Sequence, residues 1–143
     1  MREASFMQRS LPGILQAVER AGVRRILLVS VFGAGDTAEK ASGFARLVYR
    51  TALGRFLADK AAADRLLQDS GLEWTIAYPV NLTDAPALAA ATVKPLAEVG
   101  TVPGLPTLPM DNAAAALLDI ITDQGTIGAR LLITTPKGWR AAR

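Results

Sequence analysis

The 143-residue chain contains no cysteine and no histidine. Without cysteine it has no disulfide and no thiolate nucleophile. Without histidine it also lacks the usual zinc ligand and the usual general base, so no metal site is expected. Aromatic residues make up 6% of the chain and the cations are scattered, so the basic, aromatic-interleaved surface that marks nucleic-acid binding is not expected. The net charge is +3, with much of the excess in Arg24, Arg25, Lys137, Arg140 and Arg143, which read as solvated. Apolar runs stop well short of the roughly 18 residues of a bilayer span. The opening MREASFMQRS has no apolar core like that of a secretory signal. These features point to a cytoplasmic protein that binds neither membrane nor nucleic acid.

Half of the residues are hydrophobic, enough for one domain over residues 1–143 with a core of its own. Ser10 is positioned to cap a first helix, with Pro12 in its first turn. Leu11, Ile14, Leu15 and Val18 then form one apolar face, and Gly22 ends the helix. Residues 26–31 are apolar without alternation, the pattern of a strand covered on both faces of a parallel sheet. A polar, glycine-punctuated loop over 33–43 leads to an amphipathic basic helix, with Phe44, Leu47, Val48 and Leu53 apolar. Gly54 kinks that helix or separates it from the next. Residues 56–70 predict a strong helix with Leu57, Ala61, Leu66 and Leu67 inward and Gly71 as its stop. A short strand over 74–78 ends at Pro79. Five prolines between 86 and 109 forbid long regular elements. A helix over 112–123 with Asp111 or Asn112 as cap, a last strand over 129–134 and a loose tail from Pro136 complete the chain. Strands alternating with helices give an α/β fold with a parallel sheet.

Four places carry candidate chemistry. GAGDTA at 33–38 follows a strand and matches G-x-G-x-x-G/A. Glu39 to Gly43 reach another glycine too soon for the helix whose free N–H groups would hold a pyrophosphate. A loop that contacts the reactive end of a ligand and a plain flexible loop are the other readings. Lys60 either binds ribose hydroxyls or pairs with Asp64 at i+4 on a solvated face. Ser30, at the end of the first strand, is an active hydroxyl or a strand-end serine bonded to backbone. Tyr78 donates a hydrogen bond into the site or keeps its hydroxyl in water.

In order, LLVS-x-FGAGD, ADK, L-x-x-SGL-x-WT and P-x-x-LTD resemble the atypical short-chain dehydrogenases/reductases. More narrowly, the set is similar to their NmrA-like, flavin reductase (biliverdin reductase B)-like NAD(P)H-binding branch. The similarity runs over 11–84 and returns at 110–118. It implies a Rossmann-like parallel sheet flanked by helices, with NADP or NAD as cofactor. It also implies that Ser30, Gly33, Ala34 and Gly35 border the nicotinamide, that Lys60 approaches the ribose and that Pro79, Val80, Asn81 and Leu82 line the ring. The helix at Asn112 would help to close the substrate pocket. Where the family has a Tyr four residues before the Lys, this chain has Phe56, so acid catalysis from that position is excluded. Where the family has an Arg before the strand-end Pro, it has Tyr78, and the acidic residue of the closing helix is Asn112. The family's G-x-x-G-x-x-G turn and first strands would precede Met1, so only the C-terminal portion of the domain is expected here.

Three functions follow. The leading one is an oxidoreductase portion that, in the complete protein, transfers hydride from NAD(P)H to a small quinone, flavin or carbonyl acceptor, with Ser30 and Tyr78 as the catalytic candidates. The second is a non-catalytic α/β binding or regulatory module whose open sheet edge pairs with a second copy or a covering partner. The third is a cofactor-free isomerase or cyclase, with Ser30, Tyr78 or Lys60 handling protons.

Overall fold

A computed structural model describes residues 5–143. In chain order, helix α1 (Phe6–Arg20), strand β1 (Arg25–Val29), helices α2 (Gly43–Ala52) and α3 (Gly54–Gln68) and strand β2 (Glu73–Pro79) form the first half. Strands β3 (Asn81–Thr83), β4 (Thr92–Pro95), β5 (Val99–Thr101) and β6 (Thr107–Pro109) follow. Helix α4 (Met110–Thr122), strand β7 (Ala129–Thr134) and strand β8 (Arg140–Ala141) close the chain.

The main sheet has the order β1-β2-β7-β4. β1 runs parallel to β2 with Ile26 opposite Trp74 and Val29 opposite Ala77. β2 runs parallel to β7, with Ala77 opposite Leu131. Only β4 is antiparallel. Alternation along β2 sends Ile76 and Tyr78 toward α3, and Thr75 and Ala77 to the other face, where α4 packs. The expected α/β sheet with helices on both faces is therefore present. The core is built from Leu67, Ile76, Tyr78, Leu108, Leu132 and Ile133, all fully buried.

The strand over 129–134 and the 74–78 strand appear where the sequence places them, the latter one residue longer at each end. Other expectations are corrected. α1 starts at Phe6, so Ser10 is not its cap and Pro12 lies inside it. Its Leu11 is buried, but Ile14 is 49% exposed. β1 is half-buried rather than covered, because among the described residues no strand pairs with its outer edge. α2 turns Ala45 and Tyr49 inward and leaves Phe44 and Leu47 in solvent, the reverse of its apolar pattern. The reason is tertiary: the Tyr49 ring fills the space beside Gly33. Leu66 of α3 is likewise exposed. The proline-rich stretch holds three short strands, β4 to β6, and Pro109 rather than Asp111 or Asn112 occupies the N-cap of α4. The tail is paired, not loose: β8 lies against β5 and Trp139 packs on the core.

Two charged side chains tie elements together, Arg25 a helix to the sheet and Asp59 one helix to another. The sequence pattern places Arg25 on a solvated face. Its guanidinium instead donates to Glu73 O, Thr75 Oγ1, Thr126 Oγ1 and the Ile120 and Ile121 carbonyls at the end of α4. A cation there satisfies free carbonyls and opposes the helix dipole. Asp59 of α3 accepts hydrogen bonds from the Met7 and Gln8 N–H groups in the first turn of α1, at 2.9 and 3.0 Å. Burial pushes its pKa up, but those bonds outweigh burial and hold it below the ordinary 3.8.

A depressed folded-state pKa means that this contribution is complete above about pH 3.8 and is lost as pH falls through the folded value. Asp59→Ala is expected to destabilise the fold by about 1–2 kcal/mol at pH 7. Urea unfolding should show that difference shrinking on acidification; a constant difference would argue that the loss is packing alone. Gly33 has φ of +103°, and a Cβ there would lie 2.8 Å from the Tyr49 ring. Gly33→Ala is expected to cost roughly 1–3 kcal/mol in the same assay.

Candidate functional site

The site lies past the carboxyl ends of β1 and β2, where ligands enter open α/β sheets. The parallel ladder continues beyond β1: Ser30 N–H donates to Ala77 O and Phe32 N–H to Pro79 O. The two chains therefore leave the sheet side by side. A cavity of about 360 Å³ opens between them, walled by Ser30, Phe32, Lys60 and residues 79–82, with Leu53, Phe56 and Leu57 of the α2–α3 side completing it. Six sequence-derived site residues, Ser30, Lys60, Pro79, Val80, Asn81 and Leu82, thus share one cavity. Lys60 stands one turn after Phe56, its Nζ 5.8 Å from that ring.

Gly33, Ala34 and Gly35 lie outside that cavity. Gly33 and Gly35 border a second one of about 400 Å³, with Tyr49 and Leu57 as the shared wall. Ala34 and Gly35 border a third, of about 250 Å³, beside Asp36, Asp64 and Arg130. Gly35–Lys40 forms a 3-10 turn rather than the opening of an α-helix. The Gly33 N–H is taken by Thr37 Oγ1 at 2.8 Å, and Asp36 is bound to Arg130, so this loop does not present the array of free N–H groups a pyrophosphate needs.

Tyr78 is fully buried and does not line the cavity. Its hydroxyl, expected either in water or in the site, donates to Asp64 Oδ2 at 2.8 Å and accepts from Arg130 Nε at 3.1 Å. Ser30 Oγ, also buried, donates to the same Asp64 oxygen at 3.1 Å. Arg130 stacks over the Tyr78 ring at 5.2 Å and holds Asp36 with two hydrogen bonds. The electrostatics follow from this layout. Burial raises the Asp64 pKa despite the two hydroxyl donors. Burial, then the neighbouring Asp64 charge, raises that of Tyr78, which stays a neutral phenol. The Arg130 bond lowers that of Asp36.

Asp64 and Arg130 were missed from the sequence. Asp64 carried a usable signal: it falls on the stripe Leu57, Ala61, Asp64 and Leu67, which is the buried face of α3. Arg130 carried none, because its partners come from β2 and the loop after β1. Asn112, in the first turn of α4 as the sequence places it, clasps the Leu88 backbone, accepting from its N–H at 2.8 Å and donating to its carbonyl at 3.1 Å. Among the described residues no helix is long and apolar enough to cross a membrane.

The cavity is lined by one amine, Lys60, two hydroxyl-bearing side chains, Ser30 and Tyr49, the Asn81 amide and otherwise apolar residues. No curated protein sequence matches the chain. Among solved structures, a short-chain dehydrogenase/reductase from Veillonella parvula in complex with NADP superposes with a TM-score of 0.73 at 16% identity, covering 91% of this chain and 59% of that one. ChuY, an anaerobilin reductase from Escherichia coli O157:H7, gives 0.68 at 22% identity, covering 87% and 56%. A putative NAD-dependent epimerase/dehydratase from Bacillus halodurans gives 0.67 at 22%, covering 87% and 52%. The chain therefore spans little more than half the length of these structures, and at such identities the likeness establishes the Rossmann-like fold. The profile of a family described as NAD(P)H-binding matches residues 2–124. The chain belongs to that NAD(P)H-binding family, whose cofactor is NADP or NAD.

Proposed function

We propose that the chain carries the nicotinamide-side portion of an NAD(P)H-dependent reductase acting on a small quinone, flavin or carbonyl acceptor. The observation that carries this reading is the convergence of Ser30, Lys60 and residues 79–82 on one cavity at the carboxyl end of the parallel sheet. When bound, the dinucleotide supplies hydride; the protein positions and shields it. Lys60 Nζ would hold the ribose hydroxyls. Val80 and Leu82 would pack on the ring, with the Asn81 side chain available to its carboxamide. Leu53 and Phe56 would close the open side against water. Ser30 Oγ would bond the acceptor oxygen as negative charge develops on it. Phe56 offers no proton; of the two hydroxyl-bearing residues that line the cavity, Ser30 and Tyr49, Ser30 is the one at the end of the parallel ladder.

The match of residues 2–124 to an NAD(P)H-binding family favours reduction over the cofactor-free reading. Titration of the chain with NADPH and NADH, followed by nicotinamide fluorescence, is expected to saturate. Lys60→Ala is expected to weaken binding about tenfold or more, the size of one lost hydrogen bond to a charged group. Absence of saturation with either dinucleotide would overturn the proposal.

The partner reading has its own observation. The outer edge of β1 is unpaired among the described residues, and Val29 on it is 40% exposed. An open apolar edge favours strand pairing, so light scattering at micromolar concentration is expected to give the mass of a dimer. A monomer with rapidly exchanging β1 amides would remove it.

A further inference from the structure

The reductase reading leaves one buried acid without a task. Asp64 is 4% exposed. Its Oδ2 receives the hydroxyls of both Ser30 and Tyr78, while Oδ1 is buried with no hydrogen-bond partner. A carboxylate with one buried, unbonded oxygen is costly to keep ionised. Asp64 also stands between two spaces. Ser30, its partner on one side, lines the 360 Å³ cavity, and Asp64 itself lines the 250 Å³ cavity with Asp36, Arg65 and Arg130. The charges facing it are Arg130 of β7, acting through the Tyr78 hydroxyl, and Lys60 one turn earlier on α3. Asp59 points away, to the N–H groups of α1.

We infer that Asp64 is the proton reservoir behind Ser30, passing a proton from the outer cavity to the acceptor through the Ser30 hydroxyl. This rests on the reductase reading. In the protonated acid, Oδ2–H donates to Ser30 Oγ, which turns the serine's own hydrogen toward the nicotinamide cavity. As hydride adds to the acceptor carbon, the acceptor oxygen gains the electron pair of its broken π bond and takes the Ser30 proton. Ser30 Oγ takes the proton of Asp64. The carboxylate that remains is held by the Tyr78 hydroxyl, which Arg130 polarises, and is reprotonated from solvent by way of the outer cavity. The sum is NAD(P)H, one proton and acceptor giving NAD(P)⁺ and reduced acceptor. Asp64 acts through Ser30 and is a positioning residue; Ser30 is the catalytic one.

Two measurements test this. The first uses the chain without dinucleotide: carbon-13 NMR of labelled aspartate carboxyls, with D64N for assignment. Asp64 is expected to titrate above the other aspartates, and Tyr78→Phe to move it further up by removing a donor to the anion. Titration at or below the ordinary carboxylate range would overturn the relay. The second is steady-state reduction of a water-soluble quinone by NADPH. For the wild type, kcat is expected to fall as pH rises through the Asp64 titration. Ser30→Ala should lose about 100-fold in kcat, the range of a general acid. D64N should lose at least tenfold with a flat profile and unchanged NADPH affinity. In the Ser30→Ala background D64N should add little, because the two act in series. A D64N protein with wild-type kcat and pH profile, or losses that simply multiply, would overturn the relay alone. A wild-type chain that binds no NADPH would overturn the reductase reading and the relay together.

Discussion

The parallel pairing of β1 with β2 is the constraint on which the site depends. It fixes Ser30 and Pro79 as neighbours at the end of the sheet and carries both chains outward in step. A shift of one residue would turn every side chain of one strand to the other face. Ser30 would then point away from α3, and Tyr78 and Ser30 would no longer meet on one carboxylate. Arg25 opposes such a shift. It sits at the other end of the same ladder, opposite Glu73, and binds both β2 and the last carbonyls of α4. One end of the strand pair is thus fixed by charge and the other borders the cavity lined by Ser30, Lys60 and residues 79–82.

The electrostatics of the interior are organised by the same geometry. Asp36, Arg130, Tyr78, Asp64 and Ser30 form one hydrogen-bonded line from the surface to the cavity wall. The ion pair at its outer end is partly exposed and contributes little by itself. Its effect is to orient the guanidinium that bonds Tyr78. Where the resemblance would have an arginine, position 78 is a tyrosine, and Arg130 reaches its hydroxyl from β7. Burial is the largest influence on the Asp64 pKa and raises it against the Tyr78 and Ser30 donors and the Arg130 and Lys60 charges.

How much of this was legible follows from where each signal resides. β2 and β7 were readable because apolar runs bounded by glycine and proline are local features. Ser30, Lys60 and residues 79–82 come together because chain order fixes which loops leave the same sheet edge, whereas Tyr78 and residues 33–35 lie outside that cavity. α2 was misread because its inward face is set by Tyr49 meeting Gly33, a contact between elements that overrides the helix's own pattern. β5 and β8 were unreadable for a similar reason: each is two or three residues long and is defined only by its partner. Asp64 was misassigned by following charge, which suggested a pair with Lys60, instead of the 3.6-residue stripe, which placed it inside.

The clasp between Asn112 and Leu88 has a consequence for motion. The segment between β3 and β4 has no ladder of its own, and one side-chain amide supplies the donor and acceptor that a neighbouring strand would. Release of that amide frees the loop while the register of β1, β2 and β7 is unaffected. Local opening of this kind lies at the low end of the free-energy scale, well below global unfolding. The side of the molecule above α4 can therefore breathe as an independent unit, on a faster clock than the sheet that holds Ser30 and Pro79 in place.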